Sequence, residues 1–474
     1  MCGMRTKQMA LVLLCTGVFV VNLDGTVVAL ALPEIGRDLG GGIAGLQWVI
    51  DGYVLAVGCL LVGAGALADT LGRKRVFLAG LVGFTALSAA CALAPTLATL
   101  VAARVVQGVF GAALLPVSLA LVVSLYPQPR ERARAIGVVA GVGGLAVAIG
   151  PVLGGALVAG YGWQSVFWLN VPIGLATVPA LAAVLPSPPA PGGRLDPVGQ
   201  VLFTAFAAGL TYGLIESARH GWAEPRVVTA LAASAVALVL FLAFERRHAS
   251  PMLPLDLVRR PAVAAASAIN FLGFLALFPT LLLLTLFLQD VNGLSAVEAG
   301  VRFLALTGAL TVGSLVAASA AERWGTRRVI VLASALLATG LVGLTTLRAG
   351  SGYGTYWWFL VLVGFGIPAA IAPATVAALA AGPAGLMATT SAILNTFRQF
   401  GAVVGVALCG TVLAASTGLI AGMRLAFLLA AGAAVLCAVA SAFVSPSPAG
   451  SARTALQPEA STARAGIDPA RSSR

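Results

Sequence analysis

From residue 9 to residue 443 the chain repeats one pattern: a long apolar run, then a short cluster of charged residues, glycines or prolines. The runs cover residues 9–32, 46–68, 76–94, 97–124, 135–160, 165–185, 198–215, 227–245, 263–288, 297–319, 328–347, 355–381, 388–415 and 421–443. At about 1.5 Å of rise per residue, each is long enough to cross a hydrocarbon core of roughly 30 Å. The pattern predicts an all-α membrane protein of fourteen spanning helices, numbered 1 to 14 in chain order. Helix 1 is too long for a signal-peptide core and contains Asn22 and Asp24, so it is expected to be retained.

The charges between the runs orient them. With residues 1–8 inside, one face of the membrane receives twenty of the 28 basic residues and the other six, while Arg104 and Arg398 fall within helices. Short loops rich in Lys and Arg stay in the cytoplasm. The expectation is a multi-pass protein of the cell membrane with both termini cytoplasmic. Residues 444–474, rich in Ser, Ala, Pro and Arg without periodicity, are expected to form a disordered tail.

Composition agrees: 59% of residues are hydrophobic, 9% are charged and the mean hydropathy is +1.01. The net charge of +12 would suit a nucleic-acid partner, but the arginines sit in loop clusters and form no patch, so none is expected. Six cysteines show no metal-ligand spacing, and five lie inside apolar runs as small hydrophobes. The sequence offers no phosphate loop, zinc motif or nucleophile elbow, which argues against an ATP-driven pump or an enzyme and predicts no metal or cofactor.

An internal repeat organises the runs. Residues 68–76 (ADTLGRKRV) match residues 321–329 (AERWGTRRV) at a constant offset of 253, one between helices 2 and 3 and the other between 10 and 11. Helices 1–6 (9–185) and 9–14 (263–443) then form parallel halves, with residues 186–262 carrying an inserted pair.

Several motifs have chemistry of their own. In GALADTLGRKR (65–75), Gly65 and Gly72 let helix ends approach, Asp69 can accept hydrogen bonds from helix termini or from Arg73, and the basic run with Arg75 anchors the loop inside. Arg104, Gln107, Gly108 and Gly111 share one face of helix 4, which should point into the protein. A charged Arg104 there costs at least roughly 2.5 kcal/mol and needs an anion or a wet cavity. In helix 5, Gly150 and Gly154 lie four apart, as do Pro151 and Gly155, giving a smooth face and a weakened hydrogen-bond ladder that should bend.

On these motifs the chain resembles the major facilitator superfamily, in its fourteen-helix drug:proton antiporter branch, over residues 9–443. Further matches are LDGTVVALALP (23–33), WVIDGYVLA (48–56), GWQSVFWLNVPIG (162–174), Leu195-Asp196, PLDLVRRP (254–261) and NTFRQFGAVVGVALCG (395–410). The chain departs at Ala146, where the family more often has glycine, and at Gln164, where it more often has arginine. The resemblance implies a major facilitator fold with two six-helix halves and an inserted pair. It implies that the segment 65–75 is a gating loop, that residues 148–155 mark an exporter, and that Arg104 belongs to a proton-transfer motif. The implied activity is proton-driven export of a drug or antibiotic by a monomer in the lipid bilayer. The alternatives are transport of an ordinary metabolite or a non-transporting receptor.

Proton coupling needs a titratable group inside the membrane. His220 and His248 fall in loops, which leaves Asp24 and Asp51; Arg104 moving toward or away from either one would change its hold on a proton. The substrate cavity is expected between the halves, lined by Tyr53, Gln107, Asn270, Phe274, Phe278 and Gln289, because aromatics and amides hold varied amphipathic molecules. Arg398 in helix 13 either balances charge in the second half or snorkels to the membrane face.

Overall fold

The fold is that of a computed structural model describing residues 2–185, 195–248, 251, 253–381 and 387–444. The expected tail beyond residue 444 lies outside the described residues, as does the connection at 186–194. The spans are α1 (Cys2–Leu39), α2 (Gly42–Leu71), α3 (Arg73–Ala92), α4 (Leu97–Leu125), α5 (Pro129–Tyr161), α6 (Ser165–Val184), α7 (Pro197–His220) and α8 (Pro225–Glu245). They continue as α9 (Pro261–Leu286), α10 (Ala296–Trp324), α11 (Thr326–Leu344), α12 (Trp357–Ala381), α13 (Met387–Ala415) and α14 (Leu419–Ala440). Among the described residues, thirteen helices are long and apolar enough to cross a membrane, and the bent α5 makes a fourteenth.

Local chemistry explains where these helices start and turn. Thr96 and Ser295 cap α4 and α10 with reciprocal capping boxes to Thr99 and Glu298. The bend in α5 is 42° between Arg134–Val147 and Ile149–Tyr161. It falls where the ring of Pro151 crowds the carbonyl four residues back and leaves it without a donor. Helix α1 runs longer than its apolar run: it passes through Pro33 to Leu39, and Arg37 bonds back to the Pro33 carbonyl at 3.3 Å.

The repeat is visible in the backbone. Gly72 and Gly325 take φ of 100° and 88°, a region L-residues avoid, and their amides bond to the Ala68 and Ala321 carbonyls at 3.0 Å each. Packing repeats as well. A Cβ on Gly108 would meet the Tyr53 carbonyl and Ala56, and one on Gly364 would meet the Leu306 carbonyl and Ala309. Tyr53 and Leu306, like Ala56 and Ala309, stand 253 residues apart.

The halves α1–α6 and α9–α14 meet along two seams, α5 against α10 and α2 against α13. At the end opposite the α2–α3 loop these seams are tight: Gly155 abuts Ala296, Gly300 abuts Pro151, and Gln47 donates to the Val406 carbonyl at 2.6 Å. Further along α5 and α10 an added Cβ at Gly144 or Gly308 would meet nothing within 4 Å, while on the other seam Gly58 of α2 still abuts Gln399 of α13. Helix α7 lies along the α2–α13 seam. Gln200 bonds the Cys59 carbonyl of α2 at 2.7 Å, and Thr411 of α13 bonds the Leu214 carbonyl at 3.0 Å. Helix α8 covers α7 from outside, with Ser234 donating to the Phe206 carbonyl at 2.7 Å and Val236, Val239 and Leu240 exposed as a lipid-facing stripe would be.

Candidate functional site

Helix α4 carries Arg104 into the middle of the first half, where it is 1% exposed. Its Nη1 donates to Asp24 Oδ2 of α1 and, at 2.7 Å, to Gln107 Oε1 one turn away; its Nε donates to the Val49 carbonyl of α2 at 3.1 Å. The Tyr53 ring lies 4.1 Å from the guanidinium carbon and the Phe167 ring 5.6 Å from it. Asp24 is engaged on both oxygens, because Asn170 of α6 donates to Oδ1 at 3.1 Å. Ser88 of α3 closes the network, accepting from Gln107 at 2.7 Å and from Asn170 at 3.4 Å. Five helices thus converge on one buried ion pair. Gly108 permits it, since its missing Cβ lets α4 lie against the Tyr53 backbone.

A buried pair of this kind is expensive to desolvate and is retained only with good geometry and satisfied hydrogen bonds. Asp51 is different. It is fully buried on α2, and neither carboxyl oxygen has a hydrogen-bond partner. Arg104 therefore engages Asp24, and of the two carboxylates Asp51 is the one left without a partner.

The remaining candidates separate. Tyr53 and Gln107 belong to the Arg104 network, buried within the first half, and do not line an open cavity in this conformation. Asn270 bonds the Ala266 carbonyl at 2.9 Å and Thr375 at 3.3 Å, and the half-buried Phe274 and Phe278 rings lie 5.8 Å apart. Gln289 sits in a π-helical turn, Phe287–Val291, at the end of α9 and donates across the halves to the Leu30 carbonyl of α1 at 3.1 Å. Arg398 is twelfth in α13 and does not snorkel: its guanidinium lies 5.1 Å from the Phe274 ring and its Nε is buried with no acceptor.

In the 65–75 loop Asp69 accepts from Arg73 at 2.9 Å, and Arg73 reaches across to the Ala120 carbonyl at 3.2 Å and Ser124 at 2.9 Å, both on α4. Gly65 faces open space and Arg75 is exposed. On α5, Gly150 abuts Thr26 and Gly154 abuts Val27 of α1, while Pro151 and Gly155 face α10. The motif thus packs α5 against a neighbour in its own half and a partner in the other.

A family model described as Major Facilitator Superfamily matches residues 14–406. The chain belongs to the major facilitator superfamily. Curated relatives include the tetracenomycin C resistance and export protein of Streptomyces glaucescens, 36% identical over 88% of this chain and 78% of that protein. The methylenomycin A resistance protein of Bacillus subtilis is 35% identical over 90% of this chain and 92% of that protein. Among solved structures, the human organic anion transporter MFSD10 (TETRAN) shares the fold with a TM-score of 0.62 at 17% identity, covering 92% of this chain and 99% of that one. As a major facilitator protein the chain is a multi-pass membrane transporter.

Sequence reasoning missed Ser88, Asn170 and Gln47. Each is a polar residue inside an apolar run, which was the available signal; Asn170 even lies within the quoted segment 162–174. Polar side chains within membrane helices find partners in the bundle interior.

Proposed function

We propose that this transporter exports a drug or antibiotic across the cell membrane in exchange for protons, with Asp24 carrying the proton and Arg104 controlling its release. The observation that carries the reading is the buried Arg104–Asp24 pair inside its five-helix network. A major facilitator fold has no structural need of it, and it places a titratable group where movement of α1 against α4 changes its partner. The resistance and export functions named for the relatives support a drug or antibiotic as the cargo.

The α2–α3 loop end is assigned to the cytoplasm by its basic residues, and residues 9–185 and 263–443 rock about the tight opposite end as a monomer. A second reading puts the coupling proton on Asp51, because its carboxyl group is buried with no partner. Two measurements test the proposal. A susceptible host carrying the gene should survive higher doses within an antibiotic panel, and proteoliposomes given the selected drug should release protons. Proton release surviving in Asp24→Asn and lost in Asp51→Asn would move the proton to Asp51.

A further inference from the structure

The coupling reading leaves one intramembrane arginine unused. Arg398 stands eleven residues into α13 from Met387, about 16 Å along the axis. Two contacts fix its direction. Gly401 and Gly405 press against Phe271 and Leu275 of α9, and Gln399 lies against Gly58 of α2. Arg398 projects between those contact faces, toward the space between the halves, with its guanidinium carbon 5.1 Å from the Phe274 ring.

Among the described residues no acid answers this charge. Between residues 261 and 443 the acidic residues are Asp290, Glu298 and Glu322, all at or near helix ends. Across the seam, Asp24 is held by Arg104 and Asn170. Asp51 stands on α2 between Gln47, which bonds the Val406 carbonyl of α13, and Gly58, which abuts Gln399, and it makes no ion pair with Arg398. Among the described residues no carboxylate lies within ion-pair distance of Arg398, and its buried Nε has no acceptor. A guanidinium in such a place calls for an anion. Beside it are an aromatic pair, Phe274 and Phe278, and two amides, Asn270 one turn from Phe274 and Asn395 nearly one turn from Arg398.

We propose that Arg398 and Phe274 form an anion-binding point in the substrate site, selecting amphipathic aromatic molecules that carry a carboxylate, sulfonate or ionised phenol. This rests on the export reading and narrows its substrate class. The planar fork of arginine pairs with two oxygens of such a group, and the Phe274 face holds both the guanidinium and a flat ring. An outgoing anion also moves with an inside-negative potential, in the same electrical sense as an incoming proton.

The test uses the full chain in phosphatidylcholine nanodiscs with two probes of one skeleton, the anionic 8-anilinonaphthalene-1-sulfonate and the neutral N-phenyl-1-naphthylamine, with empty discs subtracted. The unaltered protein should bind the anionic probe at least about 10-fold more tightly, the scale of one charge-assisted hydrogen bond. Arg398→Gln should erase that preference by weakening the anionic probe alone, and Arg398→Lys should keep much of it. Equal binding of both probes by the unaltered protein overturns the proposal, as does an Arg398→Gln that weakens both equally. Proton-driven export of the neutral probe, measured in proteoliposomes, separates the two readings. If the neutral probe is exported without anion preference, the anion site fails and the export reading stands. If the anion preference appears without proton-driven movement of either probe, the export reading fails.

Discussion

The two halves of this transporter share a backbone and differ in chemistry. Gly108 and Gly364 pack on equivalent carbonyls, and Gly72 and Gly325 turn with nearly the same φ and the same amide bond. In that register, 253 residues apart for α2 and α3 and 256 for α4, each polar member of the first-half network taken from helices α2–α4 has an apolar counterpart. Tyr53 corresponds to Leu306, Ser88 to Leu341, Arg104 to Leu360 and Gln107 to Val363. All four counterparts are 0% exposed. The second half shows that the bundle packs without an ion pair at this crossing. The charges of the first half are therefore no requirement of the fold, and their desolvation is a cost that packing does not explain.

The comparison can be broken most sharply at the ion pair. Arg104→Leu, which copies the second half at one position, leaves Asp24 buried without its cation and should lower stability by about 3–5 kcal/mol, seen as a drop in melting temperature in detergent. Asp24→Leu combined with Arg104→Leu should recover most of that loss while uphill efflux stays absent. Recovery of proton-driven transport in the double variant would show that the network serves packing after all.

Next in size, Gly108→Val and Gly364→Val each drive a side chain into a neighbouring carbonyl and should destabilise by a similar amount, about 1–3 kcal/mol. A large gap between the two melting temperatures would mean that the halves are not packed alike. Gly72→Leu and Gly325→Leu force an L-residue to positive φ, at the lower end of about 1–3 kcal/mol each, and Gly72→Leu should also stop turnover. The smallest change in stability belongs to Asp69→Asn. Its pair with Arg73 is partly exposed and worth no more than about 1 kcal/mol. Turnover should nevertheless fall, because the loop must pack and release as the halves rock; normal export by this variant would remove the loop from gating.

The spans and the repeat were legible because both rest on local pattern: run length and a nine-residue match. The partner of Arg104 was not. Choosing Asp24 over Asp51 depends on how α1, α2 and α4 are rotated about their axes, and that is set by contacts across 80 residues of chain. Tyr53 and Gln107 read equally well as cavity lining or as network members, since a helix face pointing inward does not say whether it meets a cavity or another helix. The passage of α1 through Pro33 was also hidden. In an apolar setting a helix that stopped there would leave carbonyls with no water to take over, so one lost bond costs less than an early end.

The Arg104–Asp24 contact also bears on how the protein is made. Its two residues are separated by 80 positions, so α1 enters the bilayer well before the ribosome has produced its partner. At roughly 5–20 residues per second, the carboxyl group waits on the order of 4–16 s for its guanidinium. An aspartate at the centre of a lone helix opposes insertion by about 2.5–3.5 kcal/mol, while each Leu, Val or Phe favours it by about 0.3–0.6 kcal/mol. Residues 9–32 contain thirteen of these, together worth about 4–8 kcal/mol on that scale. The dense apolar composition of the first helix is thus what lets a nascent chain hold an unpartnered acid in lipid until the rest of its binding site is synthesised.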